Sequence, residues 1–184
     1  VTLDNLLVAF PRSRNPLLAD VIKRIGLAER TGRGIDRIYE GMLRYGRPAP
    51  DFSMSNEFTV SVYLANVSAD LDFLKMVVEQ EDKLGNMPID SLIILSRLRE
   101  ERRLTTADLT LFVQKSEAHV RATLETLVET GFLEPHGGGR GRAYTLSARM
   151  YQKVGKKSEY IRQAGFAPIQ QEQMVLNYID KHGS

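Results

Sequence analysis

Two clusters of arginine and glycine are the residues best able to do chemistry, and both would act on anions. The first is His136-Gly137-Gly138-Gly139-Arg140-Gly141-Arg142. Glycines allow turns closed to other residues and let backbone approach a surface closely. Arg140 and Arg142 place two guanidinium groups on that loop, and guanidinium is well shaped for bidentate phosphate contact. The competing reading is a solvated tip whose arginines only aid solubility. The second cluster is Arg30-Thr31-Gly32-Arg33-Gly34, followed by Arg37. Here a glycine-rich turn opens a helix, whose first free N–H groups and dipole favour an anion. A tight connection between two helices, with its arginines solvated, explains the same residues.

The elements around the first cluster form a pattern over residues 89–146: helix, short helix, helix, hairpin. The third helix opens at Ser116, which suits an N-cap. It carries Val120, Leu124, Leu127 and Val128 on one face, the spacing of a packed amphipathic helix. It stops at Thr130-Gly131, where glycine suits a C-terminal cap. Phe132-Leu133 and Ala143-Tyr144-Thr145-Leu146 then flank the glycine tip as two strands. Helix–turn–helix followed by a hairpin is the winged-helix arrangement, in which the second helix of the turn can enter the DNA major groove. Lys115, Ser116, His119 and Arg121, at the start of that helix, join Arg140 and Arg142 as candidate DNA-binding residues. For His119, an ordinary exposed helix position is an equal alternative. Glu117, Glu125 and Glu129 dilute the helix's positive charge.

The phrase Val128-Glu129-Thr130-Gly131-Phe132-Leu133 resembles the close of many bacterial winged helices, in which the glycine ends the recognition helix and the apolar pair starts the wing. That resemblance covers about a third of the chain. It speaks to fold more than to ligand, since such domains also serve as protein–protein modules.

Upstream, helices are expected over residues 15–25 and 34–46. A strand is expected over 57–64, where Phe58, Val60, Val62 and Leu64 alternate with Thr59, Ser61 and Tyr63. Arg14-Asn15-Pro16, Gly26-Leu27-Ala28-Glu29 through Ile38, Pro50-Asp51-Phe52 and the run after Phe58 together resemble the C-terminal half of a GHKL-type ATPase domain. The version they are most similar to occurs in bacterial regulators that carry an AlbA/Schlafen-like domain and are often labelled RecG-like or helicase-related. The resemblance implies an α/β two-layer sandwich with Gly32 and Gly34 in a phosphate-facing glycine box. It makes Arg14, Asn15, Thr31, Gly32, Arg33 and Gly34 weak nucleotide-binding candidates. The family's metal-binding asparagine and adenine-binding aspartate lie upstream of the matched half. No cofactor is therefore expected in this piece, with ATP and Mg²⁺ implied for a longer protein. The helicase label reads as inherited, because no G-x-x-x-x-G-K-[ST] loop is present.

Bulk properties narrow the classes. The 42% hydrophobic and 26% charged composition is that of a globular chain of one or two domains. With no cysteines, disulfides, thiolate catalysis and cysteine-based zinc are excluded. His119, His136 and His182 are too scattered for a zinc site. No apolar run is long enough to span a membrane, and the start, with Asp4, lacks a signal-peptide pattern. The net charge of +2 is uneven. Residues 10–47 carry nine basic and four acidic side chains, 70–101 carry four and eight, and 140–162 carry seven and one. Two basic blocks around an acidic one suit local anion-binding surfaces, or else solvated helix faces. Lys153, Lys156 and Lys157 could extend a phosphate track. Ser116 reads as a cap rather than a nucleophile, and the acids of 70–82 read as a solvated face. Leu71, Leu74, Val77 and Val78 read as a packing stripe.

The expectation is an α+β chain: the C-terminal part of a GHKL-like α/β sandwich (1–66), a linker helix (67–87), a winged helix-turn-helix domain (88–147) and C-terminal helices (148–184). The last segment, through 170–180, resembles the start of a second winged helix, or is a helix docked on the first. The ends suggest a piece of a longer protein. The expected function is that of a DNA-binding, cytoplasmic, non-enzymatic fragment of a transcriptional regulator, with double-stranded DNA as partner and no membrane. The alternatives are a dimerisation or protein-interaction module, forming a homodimer, and part of an ATP-hydrolysing protein.

Overall fold

The computed structural model describes residues 3–10, 12–28, 32–56, 58–148 and 150. Thr31, Lys153, Lys156, Lys157 and His182, and nearly all of the 148–184 tail, lie outside the described residues.

α1 (Pro16–Arg24) starts as its sequence dictates. Asn15 is the N-cap and its Oδ1 accepts from the Leu18 N–H at 3.0 Å, while Pro16 occupies the first turn. α2 (Gly34–Leu43) buries only Met42 and Leu43, at its C-terminal end. α3 (Leu71–Leu84) is capped by Asp70, whose Oδ1 accepts from the Phe73 N–H. Its inward stripe is Phe73, Met76 and Val77. The expected stripe is thus corrected: Leu71 and Val78 face outward, because the face that meets the core is the i, i+3, i+4 set Phe73, Met76 and Val77.

α4 (Ile89–Glu100) is buried along nearly its whole length, from Asp90 through Ser96 and again at Leu98. A helix apolar on most faces belongs at the centre of a core. It packs against α2, α5 (Thr106–Val113), α6 (Glu117–Glu129) and β3 (Ala143–Leu146). β1 (Leu104–Thr105) leads into α5 through a capping box, in which Thr105 and Asp108 satisfy each other's backbone N–H groups. Ser116 caps α6, and Gly131, at φ +77°, ends it in the left-handed region.

β2 (Leu133–His136) and β3 form the expected hairpin, and β1 adds on the other side, giving the antiparallel order β1-β3-β2. Leu133 pairs with Leu146, His136 with Ala143 and Leu104 with Tyr144. Helix, strand, helix, helix and hairpin in this order make a winged helix-turn-helix. Val120, Leu124 and Leu127 of α6 enter the core, with Val128 packed at its edge.

The strand expected over 57–64 is corrected. Its neighbourhood holds one isolated antiparallel bridge, Asp51 with Tyr63. Phe58 is 92% exposed and Val60 78%. Alternation supplies a strand's faces but not its ladder, and among the described residues no neighbouring strand pairs with this one. Local side-chain bonds shape the segment instead: Asn56 Oδ1 accepts from the Phe58 and Thr59 N–H groups. No helix among the described residues is long and apolar enough to cross a membrane.

Candidate nucleic-acid interface

Two features place the α6 start. Ser116 Oγ accepts from the His119 N–H at 3.3 Å. The short turn from α5 then leaves Gln114 in the left-handed region at φ 59°, the one non-glycine residue at positive φ among the described residues. This strain, of order 1 kcal/mol, is offset by a two-point grip. The Gln114 amide accepts from the Leu7 N–H at 3.0 Å and donates to the Leu3 carbonyl at 2.7 Å. The N-terminal segment is thereby seated on the turn that launches α6.

The first turn of α4 reaches the same place. Asp90 is 5% exposed. One of its oxygens, Oδ2, accepts from Lys115 Nζ at 2.6 Å and lies 2.7 Å from His119 Nε2. A buried carboxylate at a helix N-terminus is favoured by the dipole, and the two donors satisfy it further. Lys115 and His119 are therefore gathered at one point, but they are held by the protein. Arg121 pairs with Glu117 one turn back, and both are exposed. On the wing, Arg142 lies over the Tyr144 ring at 5.5 Å. Arg140 sits in the 3-10 turn Gly139–Gly141, and its side chain lies outside the described residues. Gly137 and Gly139 both take positive φ, at 74° and 62°, so the tip's curvature needs its glycines. His136 Nε2 pairs with Thr145 Oγ1 across the hairpin at 2.8 Å.

Sequence reasoning missed Asp90 and Gln114. Asp90 is 25 and 29 residues from its partners, and nothing local marks it. Gln114 carries no local signal either, since a left-handed position is usually marked by Gly, Asn or Asp.

The nucleotide candidates divide between two helix starts. Arg14 is exposed and Asn15 serves as the α1 cap. Gly32 (φ +75°) and Arg33 precede Gly34, the first residue of α2. A Cβ on Gly34 would meet open space, so no cradle closes over it. Among the described residues, no cluster of three His, Asp or Glu side chains could hold a metal ion.

Residues 1–62 match the protein family described as "Putative ATP-dependent DNA helicase recG C-terminal". Among solved structures, the chain is similar to the DIP2311 protein of Corynebacterium diphtheriae, at 22% identity and a TM-score of 0.66. That match covers 85% of this chain and 32% of the other, so the chain spans about a third of that structure's length. It shows a shared fold. Two more distant similarities are BpsR of Bordetella bronchiseptica and a MarR family transcriptional regulator of Silicibacter pomeroyi. BpsR is 17% identical over 62% of this chain and 89% of its own, with a TM-score of 0.34. The Silicibacter protein is 19% identical over 62% and 81%, with a TM-score of 0.35. Superpositions at that level establish neither fold nor function. No curated protein matches the chain.

Two guanidinium clamps tie the family-matched segment to α3 and to the winged helix. Arg44 of α2 pairs with Glu81 of α3, whose other oxygen accepts from the Met87 N–H at 3.1 Å. Arg99 of α4 donates to Asp70 Oδ2 at 2.6 Å and to the Gly46 carbonyl at 3.2 Å, and lies over the Phe73 ring.

Proposed function

We propose that this chain is the DNA-binding part of a transcriptional regulator, in which the winged helix contacts duplex DNA. The observation that carries this reading is the pairing of a capped, exposed helix start at Ser116 with an arginine-bearing hairpin tip in one winged-helix unit. In that arrangement α6 enters the major groove and the tip reaches phosphate. Arg140 and Arg142 supply phosphate contacts. Lys115, Ser116, His119 and Arg121 supply the helix-side contacts. The segment before residue 67, with its RecG-related resemblance, is the C-terminal part of a GHKL-like α/β sandwich whose strands belong to a longer protein. That protein binds ATP with Mg²⁺ through residues this chain lacks, and it works in the cytoplasm.

A second reading has its own support. The exposed face of α6 carries Glu117, Glu125 and Glu129 against Arg121, and Lys115, His119 and Arg121 are already paired within the chain. An acidic face with its cations engaged suits dimerisation or docking to another protein.

Fluorescence anisotropy with a random-sequence duplex across a salt series separates the two. The DNA reading expects a salt-sensitive affinity, and Arg140→Ala/Arg142→Ala is expected to lower the slope of log K against log salt by about two. No binding even at low salt, together with concentration-dependent dimerisation in sedimentation, would establish the interaction module instead.

A further inference from the structure

α2, α4 and α5 do not close completely on one another. Between them lies a cavity of about 100 Å³, partly open to solvent. Leu43, Ile93 and Phe112 are among its apolar walls, and Tyr39, Ser96 and Arg97 bring polar groups to it. All three polar side chains can donate hydrogen bonds. Ser96 is only 8% exposed, and among the described residues nothing hydrogen-bonds to its hydroxyl. The Tyr39 phenol likewise has no hydrogen-bond partner among them. Burial, chiefly, pushes its pKa up, with Arg97 opposing and Asp51 adding to the shift, so it is a protonated donor at neutral pH. Arg97 lies 4.2 Å over the Phe112 ring and gives one N–H to Glu100 at 3.0 Å. The rest of its fork has no acceptor among the described residues.

Three donors with unused hydrogen-bonding capacity at a cavity with apolar walls complement a group that only accepts, is negatively charged and carries an apolar body. We propose that this cavity binds a small aliphatic carboxylate. Its carboxylate takes Arg97, Ser96 and Tyr39 as donors, and its alkyl end packs on Leu43 and Ile93. Size sets the class. A dry cavity of roughly 150 Å³ takes benzene, so this one suits a molecule of about four to six non-hydrogen atoms. Glu100 and Asp51 are the carboxylates that oppose an incoming anion. Glu100 must share Arg97 with the ligand, which keeps the affinity modest. Gln114 also lines the cavity, so occupancy would be felt at the turn that launches α6. The site itself does not depend on whether α6 binds DNA.

The test is a titration of the whole isotopically labelled chain with sodium isobutyrate, followed by amide chemical shifts. Isobutanol and sodium chloride serve as neutral and ionic controls. Saturable shifts at residues 93–97 and 111–114 are expected with isobutyrate and with neither control. Arg97→Gln is expected to weaken the affinity by about tenfold or more, the loss of one charge-assisted bond. Ser96→Ala is expected to weaken it less, and carries the test if Arg97→Gln perturbs the spectrum globally. Equal shifts with sodium chloride, equal affinity for isobutanol, or unchanged affinity in Ser96→Ala would overturn the assignment.

Discussion

Replacing Asp90 by alanine should lower stability and raise DNA affinity at the same time. The stability loss follows from geometry. The Asp90 side chain is 7% exposed, while Lys115 is 34% and His119 48% exposed. Breaking a fully buried pair costs about 3–5 kcal/mol, and an exposed pair contributes only about 0.2–1 kcal/mol. This site lies between those limits, since the carboxylate is buried and its partners keep part of their hydration. Asp90 also loses a favourable place in the first turn of α4, worth about 0.3–1 kcal/mol. The expected total is about 2–3 kcal/mol. With a urea m-value of about 1–3 kcal/mol/M for a small protein, the midpoint should fall by roughly 1 M or more. The same change frees Lys115 and His119 at the start of α6. A freed Lys115 that reaches phosphate adds about 0.9 to the salt slope. Asp90→Asn, which keeps the shape and removes the charge, should fall between wild type and alanine on both axes. A variant whose midpoint moves by less than about 0.2 M would show that the Asp90 cluster does not hold α6 to α4. Lower stability with lower DNA affinity would show that the cluster orients the reading helix rather than withholding its charge.

Other positions give sharper local tests. Gly46→Ala would put a Cβ 2.8 Å from both Arg99 Nη1 and the Asp70 Cβ, at a φ of +65°. Strain and loss of the Arg99 clamp should cost about 2 kcal/mol or more in thermal or urea unfolding. Asp108 has its carboxyl held below the usual range, first by the Thr105 side-chain hydrogen bond and then by the Thr105 backbone N–H. A depressed carboxylate pKa contributes stability that is present above about pH 4 and is lost as pH falls through the folded value. The acid limb of the stability–pH curve should therefore flatten slightly in Asp108→Asn, while Thr105→Ala should cost about 1 kcal/mol at neutral pH. Gln114→Ala should release residues 3–7, seen as faster hydrogen exchange at the Leu7 amide, which now donates to Gln114.

Much of the fold was legible because its signals are local. Asn15, Asp70 and Ser116 each cap the helix that follows them, and the cap bond spans three residues. Gly131 ends α6 for a reason visible in its own backbone. The hairpin was readable from two apolar runs around a glycine-rich tip. The misread strand at 57–64 shows the limit of periodicity. Alternation says which side chains would share a face, but pairing depends on a partner strand that local sequence cannot supply. The stripe on α3 was misread for a related reason: apolar residues lie on more than one face, and the element they pack against decides which face turns inward. The interface was legible as a set of cations but not in its state. Asp90 engages Lys115 and His119 through a long-range contact, and so converts what reads as free charge into a held cluster.

The central claim is that DNA lies along the start of α6 and the glycine-rich tip. Amide chemical-shift mapping of the whole chain against a duplex tests it most directly. The account predicts shifts concentrated at residues 114–122 and 137–142, with the turn at residues 101–103, at the other end of the β1–β3 pairing, little changed. Shifts confined to that turn or to α1, or no shifts at low salt, would contradict it.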